Sequence, residues 1–236
     1  MKPLSLELGG QAACLVFSDA DFEQALEGVL AAKFRNTGQS CIAANRIYVQ
    51  RAIFPKFLEA FTARVQAMKV GDGFEEGVQI GPLIDADGVR KATEHVADAV
   101  RRGARLLCGG EPLRERPGFF FAPTVLADVP EDSLCQCEET FAPVAPVSVF
   151  DTEAEAITRA NGTVYGLSAY AFTRDLGRAF RLMESLEAGT IGLNDGVPTA
   201  TQAPFGGAKQ SGWGRELGRE GLDAFLETKH VSIRVS

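Results

Sequence analysis

The sequence predicts a mostly parallel, doubly wound α/β sheet with helices on both faces. Three observations carry that prediction. Short apolar runs such as "CLVF" (14–17) and "VAPVSVF" (144–150) read as strands buried on both faces. Stretches with apolar residues at helical spacing alternate with these runs along most of the chain. The chain has 236 residues, 45% of them hydrophobic, so it can bury a sizeable core. A repeated strand, helix, strand order places the strands side by side and parallel.

The elements follow in order. "LSLEL" (4–8) reads as a short strand ending at Gly9-Gly10, and "CLVF" as a buried strand. Ser18 and Asp19 are candidate caps for a helix reaching Phe34, with Phe22, Leu26, Val29 and Leu30 at helical spacing. "RIYVQ" (46–50) is a strand. Residues 53–68 carry a helical stripe of Phe54, Phe57, Leu58, Phe61, Val65 and Met68, and Pro55 fits the first turn. A helix over 86–102 stops at Gly103. "ARLLCGG", "FFFAPTVL" (119–126) and "VAPVSVF" are strands, the last two joined by an acidic loop. Helices are expected at 152–161 and 175–187, and strands at 168–173 and 190–194. A Gly-rich stretch too long for an ordinary connector precedes a helix at 216–226, and "KHVSIRV" (229–235) alternates like a pairing strand. The two terminal strands are candidates for pairing outside the central sheet.

Composition narrows the function. A net charge of −7 argues against nucleic acid or an anionic membrane as the main partner. No apolar run approaches the roughly 20 residues that span a bilayer. The start "MKPLSLELGG" lacks the apolar segment of a signal peptide, which makes a cytoplasmic location the default expectation. Five cysteines at irregular spacing are no disulfide framework. The CxC pair Cys135 and Cys137 has no second pair, and the only histidines are His95 and His230, so no metal site is expected.

Some residues invite chemistry. Cys41 lies in the polar turn "FRNTGQSCIAANR" (34–46), between a helix and a strand. Free amides after Gly38 are placed to stabilise a thiolate and later an oxyanion, which an ordinary thiol of pKa about 8.5 needs. A buried free cysteine is the plain alternative. Glu7, between Leu6 and Leu8 and before two glycines, suits a general base, or else is an outward-facing strand glutamate. "CEETFAPV" puts Glu138 and Glu139 beside Phe141, a pairing able to hold sugar hydroxyls and pack a flat ring, or simply a solvated loop. The "PFGGAKQSGWGRELG" loop contains Gly212-Trp213-Gly214, which lacks the third glycine and the preceding strand of a dinucleotide fingerprint. His95 falls within a helical pattern and reads as a surface or packing residue.

Together these segments resemble the NAD(P)-dependent aldehyde dehydrogenase superfamily over nearly the whole chain, in the family's order. They are "LELGG", "FRNTGQSCIAANR", "IGPLI", "EETFAP", "YGLSAY", "TIGLN", "PFGGAKQSGWGRE" and "LETKHVSI". "FRNTGQSC" and "APFGGAKQSGWGRE" look most like the succinate-semialdehyde dehydrogenase branch. The resemblance implies that Cys41 is the nucleophile, that Glu7 activates the water that hydrolyses a thioester, and that Glu216 serves a proton relay. It implies that Glu139 holds the nicotinamide ribose, that Phe141 packs near the nicotinamide, and that Leu8 lies where the backbone meets NAD or NADP. It pairs Arg35 and Thr199 with a distal substrate carboxylate. Where some semialdehyde enzymes carry a second cysteine this chain has Ala43, and Ala142 stands for the family's glycine in "EETFGP".

The resemblance also implies an organisation. Residues 1–8 are a remnant strand of a cofactor-binding domain and 9–205 the catalytic domain. Residues 206–228 are a loop and helix returning to the cofactor domain, and 229–236 an oligomerisation strand giving a homo-oligomer. The expectation is a truncated catalytic half, inactive alone. A cofactor-independent cysteine thioesterase and a non-catalytic oligomerising remnant are the competing readings.

Overall fold

The computed structural model describes residues 4–236, so the start of the expected strand at 1–8 lies partly outside the described residues. The chain opens with a two-residue strand β1 (Leu6–Glu7), strand β2 (Ala12–Val16) and helix α1 (Phe22–Phe34), which runs into a 3-10 turn at Arg35–Gly38. Next come β3 (Ala44–Gln50), α2 (Phe54–Gln66), α3 (Ala86–Arg101), β4 (Arg105–Cys108) and β5 (Thr124–Ala127). A short helix α4 (Leu134–Cys137), β6 (Val144–Phe150), α5 (Glu153–Asn161), β7 (Tyr165–Gly166) and β8 (Ser168–Phe172) follow. The last elements are α6 (Leu176–Ser185), β9 (Thr190–Leu193), β10 (Ala208–Lys209), β11 (Gly212–Trp213) and α7 (Glu220–Asp223).

Seven strands form one sheet in the order β4-β5-β6-β3-β2-β8-β9. All neighbours are parallel except the edge pair β4 and β5. Strand β2 shows why both faces need helices. Its Ala12, Cys14 and Val16 pack with Val29 of α1 and Phe57 and Phe61 of α2. Its Ala13 and Leu15, with Phe17 just after the strand, pack with Ala156 of α5 and Leu182 of α6 on the other side. Helix α3 covers that second side further along, setting Ala92, Val96 and Ala99 against Leu126 and Val144. The fold is the α/β arrangement the sequence predicts, with one antiparallel edge strand added. Among the described residues no helix is long and apolar enough to cross a membrane.

Several local expectations are corrected. Asp21, not Ser18 or Asp19, caps α1 by accepting from the Gln24 N–H. Asp19 instead accepts from Thr173 Oγ1 at 2.8 Å and from Arg178 at 2.6 Å, tying β2 to α6. The strand at 119–126 starts only at Thr124, and Phe121 makes a lone bridge to Pro112. The strand at 4–8 shrinks to the two residues that find partners in β11. The helix at 216–226 shrinks to α7, because Leu217 and Gly218 take left-handed φ values of +56° and +57°. Residues 229–235 form no strand: the alternating pattern has no partner edge, and Val231, Ile233 and Val235 are exposed.

Candidate active site

The segments that carry the sequence motifs meet at the amino ends of neighbouring parallel strands. Gly9 and Gly10 precede β2, Cys41 precedes β3, Glu139 to Phe141 precede β6, and Leu167 precedes β8. Open α/β sheets more often bind ligands at their carboxyl ends. Here the converging strand starts bring backbone N–H groups and loop side chains together.

The turn bearing Cys41 is built by conformational necessity. Asn36 and Thr37 adopt left-handed φ values of +52° and +61°. Gly38, at φ +73°, passes so near the next loop that a Cβ there would lie 2.4 Å from the Ala142 carbonyl oxygen. The "IGPLI" segment braces the turn. Gly81 N–H donates to Thr37 Oγ1 at 2.9 Å, Ile84 N–H donates to Gln39 Oε1 at 2.9 Å, and Gln39 Nε2 donates to the Pro82 carbonyl at 3.1 Å. After the turn, Ala43 N–H closes back on Ser40 O, and Tyr170 Oη donates to Ile42 O at 2.7 Å. Cys41 itself is half-buried, beside Ile42, Leu167 and Phe205.

The thiol is not ionised by its surroundings. Burial pushes its pKa up to about 12, and hydrogen bonding and charge from Glu7 add to this, with Glu139 contributing. Only its own backbone N–H acts the other way. Burial first, and the nearby carboxylates second, favour the protonated thiol over the thiolate, and the Cys41 amide alone among these groups works toward the thiolate. One Glu7 oxygen, Oε1, is buried with no hydrogen-bond partner among the described residues. An unpaired buried carboxylate oxygen beside a thiol is a ready acceptor for a proton or for a water.

Glu7 is held in place from the Gly-rich loop. It faces Gly212 across the β1–β11 pair, and Leu8 N–H donates to Ser211 O at 3.0 Å. Ser211, fully buried, donates its hydroxyl to Gly9 O at 2.7 Å and accepts from Gly166 N–H at 2.9 Å. That one side chain joins "LELGG", "YGLSAY" and "PFGGAKQSGWGRE". Sequence reasoning passed over it, and its only signal was a serine inside a glycine-rich run.

Glu139 lies on the other side of the glycines. Its Oε1 accepts from Gly10 N–H at 2.9 Å. Burial raises its pKa, with the charge of Glu7 adding to this, while Gly10 N–H, Lys91 and Lys33 act in the opposite direction. Phe141 follows with its ring partly exposed, and Leu8 is exposed at the end of β1. A carboxylate rimmed by an open aromatic and an open aliphatic side chain fits the ribose and flat ring of a nucleotide cofactor's nicotinamide end. Lys33 sits beneath, fully buried, donating to Asn45 Oδ1 at 2.8 Å. Burial pulls its pKa down to about 7, and Cys135 and Glu139 oppose that. Nothing in its helical spacing marked it as unusual.

The remaining candidates are less closely joined. Arg35 is exposed at the start of the 3-10 turn and makes no ion pair among the described residues. Thr199 lies half-buried in the loop after β9, which crosses α1 where a Cβ on Gly196 would lie 2.2 Å from Gly28 O. Among the described residues no hydrogen bond joins Thr199 to Arg35. Glu216 is exposed, though its backbone pairs with Phe205, which packs in the cluster around Cys41. Its carboxylate has no hydrogen bond to Cys41 or Glu7. Of the CxC pair, Cys135 is buried and Cys137 exposed.

The sequence and the fold recur in known proteins. The aldehyde dehydrogenase family model matches residues 1–231. The NADP(+) succinate-semialdehyde dehydrogenase GabD of Escherichia coli is 50% identical over 233 residues, covering 99% of this chain and 48% of GabD. A glutarate-semialdehyde dehydrogenase of Pseudomonas aeruginosa is 48% identical, again over 99% of this chain and 48% of its own length. The crystal structure of an E. coli NADP-dependent enzyme superposes with a TM-score of 0.94 at 49% identity, covering 96% of this chain and 47% of that one. The chain spans about half the length of the curated relatives it matches. With the family model matched over residues 1–231 and these identities extending over nearly all of its length, the chain belongs to the aldehyde dehydrogenase family.

Proposed function

We propose that this chain forms the catalytic half of an NAD(P)-dependent aldehyde dehydrogenase acting on an aldehyde with a distal carboxylate, such as succinate semialdehyde. The single observation behind this reading is that Glu7, with a buried unpaired oxygen, stands against the half-buried thiol of Cys41. Glu7 takes the thiol proton as sulfur attacks the aldehyde carbon, giving a thiohemiacetal on Cys41. Among the described residues the N–H of Cys41 makes no backbone–backbone hydrogen bond, and from beside its own sulfur it is placed to donate to the developing oxyanion. When bound, NAD or NADP supplies the hydride acceptor that turns this adduct into a thioester. Glu7 gives the first proton up to solvent and then takes one from the water that attacks the thioester; that proton passes to sulfur as the C–S bond breaks and the carboxylic acid leaves.

Glu139 and Phe141 hold and pack the nicotinamide end, with Leu8 at its edge. Arg35 and Thr199 receive the distal carboxylate, since an exposed guanidinium without an ion pair suits a charged substrate group. The names of the two relatives, which specify succinate and glutarate semialdehydes, support that substrate class. Glu216 relays protons outward from the pocket. A second copy pairs with residues 229–235, whose alternating Val231, Ile233 and Val235 are exposed and form no strand with the described residues.

The test is nicotinamide reduction with succinate semialdehyde, by the chain alone and mixed with the separately expressed amino-terminal half of GabD. The reading expects turnover only in the mixture, lost in Cys41→Ser. Robust turnover by the chain alone would overturn the requirement for a second half, and none in either case would overturn the assignment. Light scattering with and without residues 229–236 tests the pairing strand.

A further inference from the structure

His95 belongs to no motif, yet it is nearly fully buried on α3, at 2% exposure. Its Nδ1 lies 3.1 Å from the hydroxyl of Thr140, which is equally buried. Its Nε2 is 3.8 Å from a carboxylate oxygen of Glu138. These two residues flank Glu139, and Thr140 precedes Phe141. One imidazole thus touches both sides of the loop that carries the two cofactor-facing groups.

That loop needs outside support. Among the described residues, 139–141 make no backbone–backbone hydrogen bond. The nearest backbone anchors are Glu138 N–H to Leu134 O and Val144 N–H to Ala142 O, both 2.8 Å. Within the gap Phe141 holds a left-handed φ of +54°. A bulky residue stays in that region only where its surroundings enforce it. Glu139 is tied to Gly10 N–H on one flank, and Ala142 is pressed against Gly38 on the other. Between them Thr140 is tethered to the His95 side chain, while the Glu139 backbone meets the Tyr165 hydroxyl. Burial keeps the imidazole neutral by lowering its pKa to about 4, so one ring nitrogen donates and the other accepts through the neutral range.

We propose that His95 is a positioning residue that, through Thr140, fixes the strained turn at Phe141 and so sets Glu139 and the Phe141 ring toward the nicotinamide end of the cofactor. The cofactor-facing part of this inference rests on the function proposed above. The fixing of the turn does not.

The test has two arms on the chain itself. Amide hydrogen exchange is followed by NMR at Glu138, Val144 and Gly10, the bonded N–H groups that anchor the loop, in the parent chain, His95→Phe, Thr140→Val and His95→Asn. Exchange is expected to rise about tenfold or more in the first two variants, confined to these amides. His95→Asn, whose amide stands where Nδ1 stood, restores most of the protection. Thr140→Val changes little volume and leaves α3 intact, so it carries the test should His95→Phe unfold. The second arm titrates oxidised nicotinamide mononucleotide while watching the Phe141 ring and Gly10 amide signals. Affinity is expected to fall at least about fivefold in Thr140→Val and to recover in His95→Asn. Unchanged exchange overturns the clamp, and faster exchange with unchanged affinity overturns the positioning role. If the mononucleotide shifts nothing in the parent chain, the cofactor assignment and this role fall together, while the exchange arm still reports on the clamp.

Discussion

Gly10 lies so close under Cys41 that a Cβ on it would stand 2.3 Å from the Cys41 carbonyl oxygen. The same glycine donates its N–H to Glu139. The second glycine of "LELGG" is therefore where the thiol turn and the carboxylate loop are brought to a common distance. Any side chain there separates them.

Gly10→Ala is expected to cost about 3 kcal/mol of stability, the upper range for overpacking against immovable backbone. It also displaces the Cys41 turn. Gly73→Ala, where a Cβ meets nothing within 4 Å, is the control. Urea midpoints of the two variants check this, and equal midpoints would show that the contact is slack.

The thiol of Cys41 should alkylate slowly near neutral pH, because burial and Glu7 keep it protonated. Glu7→Gln removes the opposing charge. One unit of thiol pKa is tenfold in thiolate, so iodoacetamide should label Cys41 several-fold to about tenfold faster in the variant. Peptide mapping separates Cys41 from the other four cysteines. Identical labelling rates would remove Glu7 from the thiol's environment.

Lys33 carries a pH signature. Its folded pKa, about 7, lies below its ordinary 10.5, so between these values the unfolded chain binds more protons and stability rises with pH. Lys33→Met abolishes that gain, which amounts to on the order of 3 kcal/mol across the window. The readout is the difference between parent and variant at each pH, because the buried cysteines slope the other way above their ordinary pKa of 9.0. A difference that does not change from pH 7 to pH 10 would mean the lysine stays charged in the fold.

Ser211→Ala strands the Gly166 N–H and the Gly9 carbonyl inside the protein. Leaving buried backbone groups unpaired costs about 1–3 kcal/mol. The variant should also loosen β1, so that Glu7 no longer raises the thiol pKa and Cys41 alkylates faster. A stability loss without any change in Cys41 labelling would limit Ser211 to a purely structural part.

Much of this fold is legible in the chain because its elements are long and periodic. The runs of β2, β3 and β6 and the stripes of α2 and α3 stand within a few residues of their expected positions. What was misread is short. Strands β7, β10 and β11 have two residues each and therefore no period to detect. The expected helix at 216–226 fails at a left-handed pair, and the expected strand at 229–235 has no edge to join.

The site divides in the same way. Cys41, Glu7, Glu139 and Phe141 can be named from their local chemistry and family order, since a thiol in a polar turn or an acid before two glycines is visible in one dimension. Ser211, Lys33 and His95 cannot, because their importance lies in what each touches 45 or more residues away, or in complete burial. The protonated state of Cys41 belongs to this second kind. The sequence by itself determined the residue types and the alternating strand and helix order, which local patterning encodes. Only the tertiary structure decided that the thiol is half-buried with Glu7 beside it, both of which favour its protonated form, because desolvation and charge act through space.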